Sequence, residues 1–361
     1  MNKKFQNSNY SFLNLRLMSL EITGFPFDLN GYQFLECIGS GTYSTCFKVF
    51  SHQYQQYFCA KMTEIQDENF FDENGNPRDQ ELSCLLQLDH QGVIKVYKYF
   101  RYDCFFFLIL ELCDAGTLSD RLLNGRKLTI DMVYSYMIDI LEALVYCHQQ
   151  NIAHRDIKPQ NIFIDEHEHA KVADFGLSSV LKARHDLVDT ACGSPSYASP
   201  EIYGATAYDP FKADVFALGV TFYQMLVRNI PWPDEITTAG PERPPPIFPR
   251  ILGAPMISLI KSMLEIDPMK RPSMEQILNN DVFVLIRKRL NDNKNQLKSS
   301  LAFRTQSKEV MHPPISSYSM QNQKIMQHMI LTQQQSLSCR LTGKKRRNSA
   351  RIMNKTFGSD Y

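Results

Sequence analysis

The sequence predicts an α+β fold in which a small antiparallel sheet, interrupted by one main helix, precedes a larger and mostly α-helical half. Three observations carry this. β-Branched and aromatic residues flank a glycine-rich turn over residues 32–49 and recur over 57–62, 93–100 and 104–110, which reads as strands joined by hairpins. Leu82, Leu85, Leu86 and Leu88 fall at helical spacing within residues 79–88, so one helix breaks the sheet. After Asp114-Ala115-Gly116 the pattern changes, because residues 132–149 form a long amphipathic stretch and 215–227, 256–264 and 273–286 are also helical.

The flanks differ in character. Residues 1–31 lack a sustained period and end in Gly24, Pro26 and Asn30-Gly31, so they are expected to form a flexible leader. The folded domain is expected over 32–287, with its β-rich part at 32–113 and its helical part at 114–287. The proline-rich stretch 241–249 reads as an extended surface connection. From 288 to 361 the chain is rich in Gln, Ser, Asn and Lys, with Gln333-Gln334-Gln335 and a basic run from Lys344 to Arg347. That composition cannot build a core, and disorder is expected there.

Composition excludes several classes of function. The 361 residues are 43% hydrophobic and 21% charged, a balance that supports a sizeable core. Lys plus Arg (39) almost cancels Asp plus Glu (38), so no global field draws the protein to nucleic acid or to a membrane surface. The longest apolar run, Phe105 to Leu110, stops at Glu111, far short of the about 20 residues that cross a bilayer. Lys3 and Lys4 precede apolar residues interrupted by Asn14, Arg16 and Glu21, so no secretory segment is expected. The nine cysteines are odd in number and form no C-x-x-C pair, which argues against disulfides and zinc and for the cytoplasm. The basic run could serve nuclear import, although a solvated charge run is the simpler reading.

The chemistry-bearing residues begin with Ile38-Gly39-Ser40-Gly41-Thr42-Tyr43-Ser44 between two strand-like runs, where backbone amides could close over phosphates. A ligand-free hairpin turn would look the same. Lys61, inside the apolar strand 58–62, needs an anionic partner, which Glu81 on the following helix can supply. Downstream come His154-Arg155-Asp156-Ile157-Lys158-Pro159-Gln160-Asn161 and Asp174-Phe175-Gly176. Any one Asp or Asn here could be an ordinary turn residue; their ordered set could not. His167-Glu168-His169 follows Asp165 in a polar turn and reads as solvated rather than as a metal site.

This constellation resembles the eukaryotic protein kinase family, serine/threonine type, from about residue 32 to 287. Tyr197-Ala198-Ser199-Pro200-Glu201 is similar to its A-P-E segment, and Asp214, Asp267-Pro268 and Arg271-Pro272 match later landmarks. The resemblance implies a bilobal fold with ATP and Mg²⁺ between the lobes. It implies that Asp156 accepts the proton of the substrate hydroxyl, that Lys158 lies near the transferring phosphate, and that Lys61, held by Glu81, contacts the α- and β-phosphates. Asn161 and Asp174 would hold the metal. Ile38, Gly39, Ser40, Gly41, Ser44, Cys46, Cys59, Leu110, Glu111, Cys113 and Phe163 would surround ATP, with Leu110 as gatekeeper and Glu111 to Cys113 as the hinge. Leu85, His154 and Phe175 would stack as an internal spine, and Glu201 would pair with Arg271. A catalytically weak pseudokinase scaffold is the alternative reading.

Several departures from the family pattern stand out. Ser44 replaces the third loop glycine, Cys46 and Cys59 replace the usual Val and Ala above the adenine, Ser199 replaces Ala, and Phe216 replaces Trp. The segment Thr190-Ala191-Cys192-Gly193-Ser194-Pro195 is similar to that of the calcium/calmodulin-dependent and AMP-activated kinase-related group. It implies that an upstream kinase activates the protein by phosphorylating Thr190 beside Arg155. No basic amphipathic helix for calmodulin is evident after Asn291. Thr117, Gln160 and Gln224 stand where arginine-selecting relatives carry carboxylates, and Leu177 implies a preference for serine over threonine in protein substrates.

Overall fold

The computed structural model describes residues 24–41, 44–67, 69–123, 128–204, 207–232, 243–249 and 252–305. Most of the expected leader, the tail beyond Thr305 with its basic run, and Thr42 and Tyr43 of the glycine-rich turn lie outside the described residues.

The N-terminal lobe is a six-stranded antiparallel sheet in the order β1-β2-β3-β4-β6-β5. Its strands are β1 (Phe27–Leu29), β2 (Tyr32–Ser40), β3 (Ser44–Ser51), β4 (Gln56–Glu64), β5 (Val96–Tyr102) and β6 (Phe105–Leu110). Alternation decides which side chains go inward. Phe34, Phe47, Val49, Phe58, Ala60, Met62, Phe107 and Ile109 form an apolar core on one face. Cys46, Cys59 and Lys61 therefore share the other face, at the interlobe cleft.

β1 lies inside the segment expected to be a flexible leader, and this corrects that boundary. Asn30 (φ 50°) and Gly31 (φ 86°) both take left-handed conformations, which makes them the two-residue turn of a β1–β2 hairpin rather than the end of a loose segment. Phe27 stacks on Phe34 with ring centroids 4.7 Å apart, so the hairpin is sealed by aromatic burial.

Helix α1 (Gln80–Leu85) is shorter than the spacing of its leucines suggests; its N-cap Asp79 accepts from the Leu82 amide at 2.7 Å. It packs against the turn at residues 175–177. The C-terminal lobe contains α2 (Leu118–Leu123), α3 (Ile130–Gln149), α4 (Pro210–Val227), α5 (Ala254–Met263), α6 (Met274–Leu278) and α7 (Asp281–Thr305). Short strands β7 (Ile152–Ala153), β8 (Ile162–Ile164), β9 (Ala170–Val172) and β10 (Ser179–Val180) pair as β10–β7 and β8–β9. Met137, Ile140, Leu141 and Leu144 of α3 pack with Val215, Leu218 and Phe222 of α4 in the main core.

Two helical expectations change. The stretch 273–286 is two helices, because Asn279 caps the end of one and the Asn280 side chain accepts from the Val282 amide at 3.0 Å to begin the next. Residues 288–305, expected to be disordered, continue α7. Arg289 and Asn293 both bond Asp131 at the start of α3, at 2.8 and 2.9 Å, and Leu290 packs on the core. A helix with one anchoring stripe needs little apolar content, which is why composition concealed it.

Candidate active site

Strand β4 presents Lys61 to the cleft, and α1 presents Glu81 from its first turn. The Lys61 ammonium lies 2.6 Å from Glu81 Oε2 and 2.8 Å from Asp174 Oδ1. Burial by itself would lower the lysine pKa, but the two carboxylates outweigh it and hold it above the ordinary value. Burial raises Glu81, while the Lys61 charge and hydrogen bond overcome burial to lower Asp174. The buried ion pair thus ties strand, helix and the 174–176 segment together.

Asp174 has a left-handed backbone (φ 63°, ψ 69°) that turns Phe175 into the core. Phe175 meets the His154 ring edge-on with centroids 4.8 Å apart. Leu85 shares the same core, so the elements of the expected spine are in one apolar body. His154 Nδ1 accepts from the Asp156 amide at 3.2 Å and Nε2 meets the Ala173 carbonyl at 3.0 Å, an arrangement that assigns the proton to Nε2.

Asp156 is clamped on both oxygens. Oδ2 accepts from Lys158 Nζ at 2.6 Å and from Asn161 Nδ2 at 2.8 Å. Oδ1 accepts from the Ser194 amide at 3.0 Å and its hydroxyl at 2.9 Å, and Lys158 also donates to that hydroxyl at 2.7 Å. The loop carrying Asp156 is fixed from below by fully buried Asp214, which accepts from the His154 and Arg155 amides at 2.8 and 2.7 Å. His148 Nε2 lies 2.9 Å from the same carboxylate.

Ser194 was not among the residues sequence reasoning selected. It stands in the quoted Gly193-Ser194-Pro195 segment, but it lies 38 positions from Asp156 and only the fold joins them. Gly193 makes the approach possible: it has φ +100°, and a Cβ there would lie 2.6 Å from the Arg155 carbonyl oxygen. Gly193→Ala must therefore displace the loop that carries Ser194. Phosphate transfer is expected to fall about 100-fold, since displacements of about 1 Å can have that effect. Steady-state kinetics would check this, and unchanged kcat would refute the close approach.

On the nucleotide side, the Gly41 amide donates to the Ser44 carbonyl at 2.8 Å, closing the turn that follows Ile38, Gly39 and Ser40. Cys59 pairs with Leu110 in the β4–β6 register and packs against the core that Phe163 also joins. The Glu111 side chain pairs with Lys171 of β9 at 2.9 Å, and its backbone amide donates to the Lys95 carbonyl at 2.8 Å. Cys113 is buried, and burial pushes its thiol up to about 12.

Arg155 faces the activation segment. It donates to Ser179 Oγ at 2.7 Å, to Tyr208 OH at 3.2 Å and to the Thr190 carbonyl. The Thr190 hydroxyl itself bonds Asp189 at 3.2 Å. Farther down, Arg271 and Glu201 form a two-pronged pair at 2.5 and 2.7 Å. Exposed Glu168 of the His167-Glu168-His169 turn bonds Arg121 at 2.8 Å and Tyr136 at 2.5 Å. Among the described residues no group of three or more His, Cys, Asp or Glu could hold a metal ion.

A curled antiparallel sheet over a helical lobe, with Lys61 and Asp174 joined across the cleft, defines a two-lobed phosphotransferase architecture. The family model described as "Protein kinase domain" matches residues 32–283. The testis-specific serine/threonine-protein kinase 3 of Mus musculus is 34% identical over 261 residues, covering 69% of this chain and 94% of that protein. Its Homo sapiens counterpart is 33% identical over the same shares. A probable serine/threonine-protein kinase of Dictyostelium discoideum is 31% identical over 70% of this chain but only 29% of its own length. The chain belongs to the protein kinase family and is a protein serine/threonine kinase, consistent with the calcium/calmodulin-dependent-related grouping. Among the described residues no helix is long and apolar enough to cross a membrane.

Proposed function

We propose that the chain is an active kinase whose Asp156 orients a serine or threonine hydroxyl of a protein substrate and accepts its proton as the γ-phosphoryl group of ATP is transferred. The observation that carries this is the clamp on Asp156: Lys158, Asn161 and Ser194 leave its carboxylate one orientation. A loose transition state asks for such positioning more than for covalent chemistry. Lys61, held by Glu81, would meet the α- and β-phosphates. Ile38, Gly39, Ser40, Gly41 and Ser44 would cover the phosphates, with Cys46, Cys59, Leu110 and Phe163 around the base and Glu111 and Cys113 along the hinge.

The donor set also fits Mg²⁺. Lys61 engages only Oδ1 of half-exposed Asp174, and Asn161 commits its amide nitrogen to Asp156. One oxygen from each would remain, the hard ligands that Mg²⁺ prefers. The metal would neutralise phosphate charge when bound. The test is transfer from γ-labelled Mg-ATP to peptide libraries with one Ser, Thr or Tyr acceptor. Serine and threonine should be labelled, serine more so given Leu177, without a dominant arginine requirement. Transfer no greater than that of Asp156→Asn would favour the pseudokinase scaffold.

Phosphorylation of Thr190, by an upstream kinase or by the chain itself, would order the activation segment. Arg155 already touches the Thr190 carbonyl, so a phosphate there would gain charge-assisted hydrogen bonds. Thr190→Ala is expected to lower kcat about tenfold or more relative to the phosphorylated protein. Full specific activity in that variant, with phosphate mapped by mass spectrometry in the parent, would overturn this regulation. The eight described cysteines are all free, which supports a reducing compartment such as the cytoplasm.

A further inference from the structure

Helix α1 carries Glu81 in its first turn but has only six residues, too few for its own hydrogen bonds to fix where that turn lies. Its placement comes from what it docks on. Alternation along β6 sets the surface: Phe106, Leu108 and Leu110 join the apolar body that includes Leu82 and Leu85 of α1, whereas Phe105, Phe107 and Ile109 join the core on the other face. The chain between β4 and α1 lands on that same body before the helix begins. Half-buried Phe70 packs there and meets the Phe106 ring edge-on, with centroids 5.1 Å apart. From Phe70 the chain leaves and returns. The Arg78 amide donates to the Phe70 carbonyl at 2.6 Å, Phe71 and Pro77 form an antiparallel bridge, and the Asp72 amide donates to the Asn76 carbonyl at 2.9 Å. The Arg101 guanidinium of β5 covers the Phe71 ring, 5.4 Å from its centre. Residues 70–78 thus close on themselves at the Phe70 anchor, and the next residue is Asp79, the N-cap of α1.

We propose that Phe70 is a positioning residue for phosphoryl transfer: its ring, seated on Phe106, fixes the start of α1 and so keeps the Glu81 carboxylate against Lys61. The inference rests on the reading above, in which Lys61 held by Glu81 meets the phosphates of ATP. The linkage is short. The Phe70 carbonyl holds the Arg78 amide, Arg78 precedes the N-cap, and Glu81 follows the N-cap by two residues. A shift of about 1 Å in the first turn is enough to misplace a reacting group, and it would break the 2.6 Å contact between Lys61 and Glu81. Lys61 would then keep only Asp174, at 2.8 Å. The ammonium would be drawn toward the carboxylate proposed to hold the metal, and away from the phosphates. An aromatic side chain that merely filled space would stabilise the lobe without any dependence on Glu81.

The test compares the full chain with Phe70→Ala, Phe70→Leu, Glu81→Gln and the double variants, each at a temperature where its thermal melt shows it folded. In Phe70→Ala, kcat/KM for peptide phosphorylation by Mg-ATP is expected to fall about 10- to 100-fold. Phe70→Leu keeps an apolar group on Phe106 and should recover most of that loss. In the Glu81→Gln background, Phe70→Ala should cost less than about twofold, because the contact it serves is already gone. A side chain that only filled space would cost the same factor in both backgrounds. Phe70→Leu passes through the same cycle and should be non-additive in the same sense. A second readout needs no transferase activity. A water-soluble carbodiimide joins carboxylates to amines already in contact, and mass spectrometry maps the product. The Lys61–Glu81 amide is expected in the parent and in Phe70→Leu and should be largely lost in Phe70→Ala. Equal costs in the two backgrounds, or an undiminished cross-link in Phe70→Ala, would overturn the proposal. A parent that transfers no phosphate, with the cross-link still lost in Phe70→Ala, would overturn the kinase reading while leaving Phe70 as the residue that places Glu81.

Discussion

Asp174→Ala abolishes Mg-ATP-dependent transfer, with kcat falling about 1,000-fold or more, while the protein remains folded. Asp174 is the half-exposed carboxylate that shares Lys61 with buried Glu81. Removing it deprives the phosphates of a metal ligand and of the charge neutralisation that ligand would organise, an effect worth several kcal/mol in the transition state. Lys61 keeps Glu81 as its partner, so no buried charge is orphaned and stability should change little. Steady-state transfer and a thermal melt measured together separate the two effects. Retention of wild-type kcat by the variant would show that Asp174 holds no essential metal.

Arg271→Ala should have the opposite profile, with a large loss of stability. Arg271 is 2% exposed. Besides its two bonds to Glu201, it donates to the carbonyls of Lys212, Glu265 and Ile266 at 2.9, 2.7 and 3.0 Å, and its guanidinium lies 5.0 Å from the centre of the Phe216 ring. Truncation leaves a carboxylate and three carbonyls without their donor inside the C-terminal lobe. Breaking one partner of a buried pair costs about 3–5 kcal/mol, which lowers the melting midpoint by about 6–20 °C in a domain of this size. Arg271→Lys should be intermediate, because it keeps the charge but not the planar fork. A melt within 2 °C of wild type, roughly the effect of half a kcal/mol, would refute this role of the pair.

The site was legible in the sequence to the extent that its residues come in short, ordered motifs. Lys61 within an apolar strand asked for an anion, and Glu81 is that anion. Asp156, Asn161 and Asp174 stood in segments whose order resembles that of the protein kinase family, and that resemblance pointed to phosphate transfer. Ser194 was not legible, because its role depends on Gly193 folding back to touch the Arg155 carbonyl. Nor were the bonds of Glu168 to Arg121 and Tyr136, since a tripeptide that is solvated, as its polarity suggests, does not show which distant side chains lie beside it.

By itself the sequence determined the fold class, because alternation and helical period are local properties. It could not place the ends of the domain. Asn30-Gly31 became a hairpin turn only because Phe34 offered Phe27 a stacking face, and α7 ran to Thr305 with Asp131 of α3 holding Arg289 and Asn293. Marginal segments are decided by what they dock on, since isolated hairpins and polar helices do not repay their own ordering entropy.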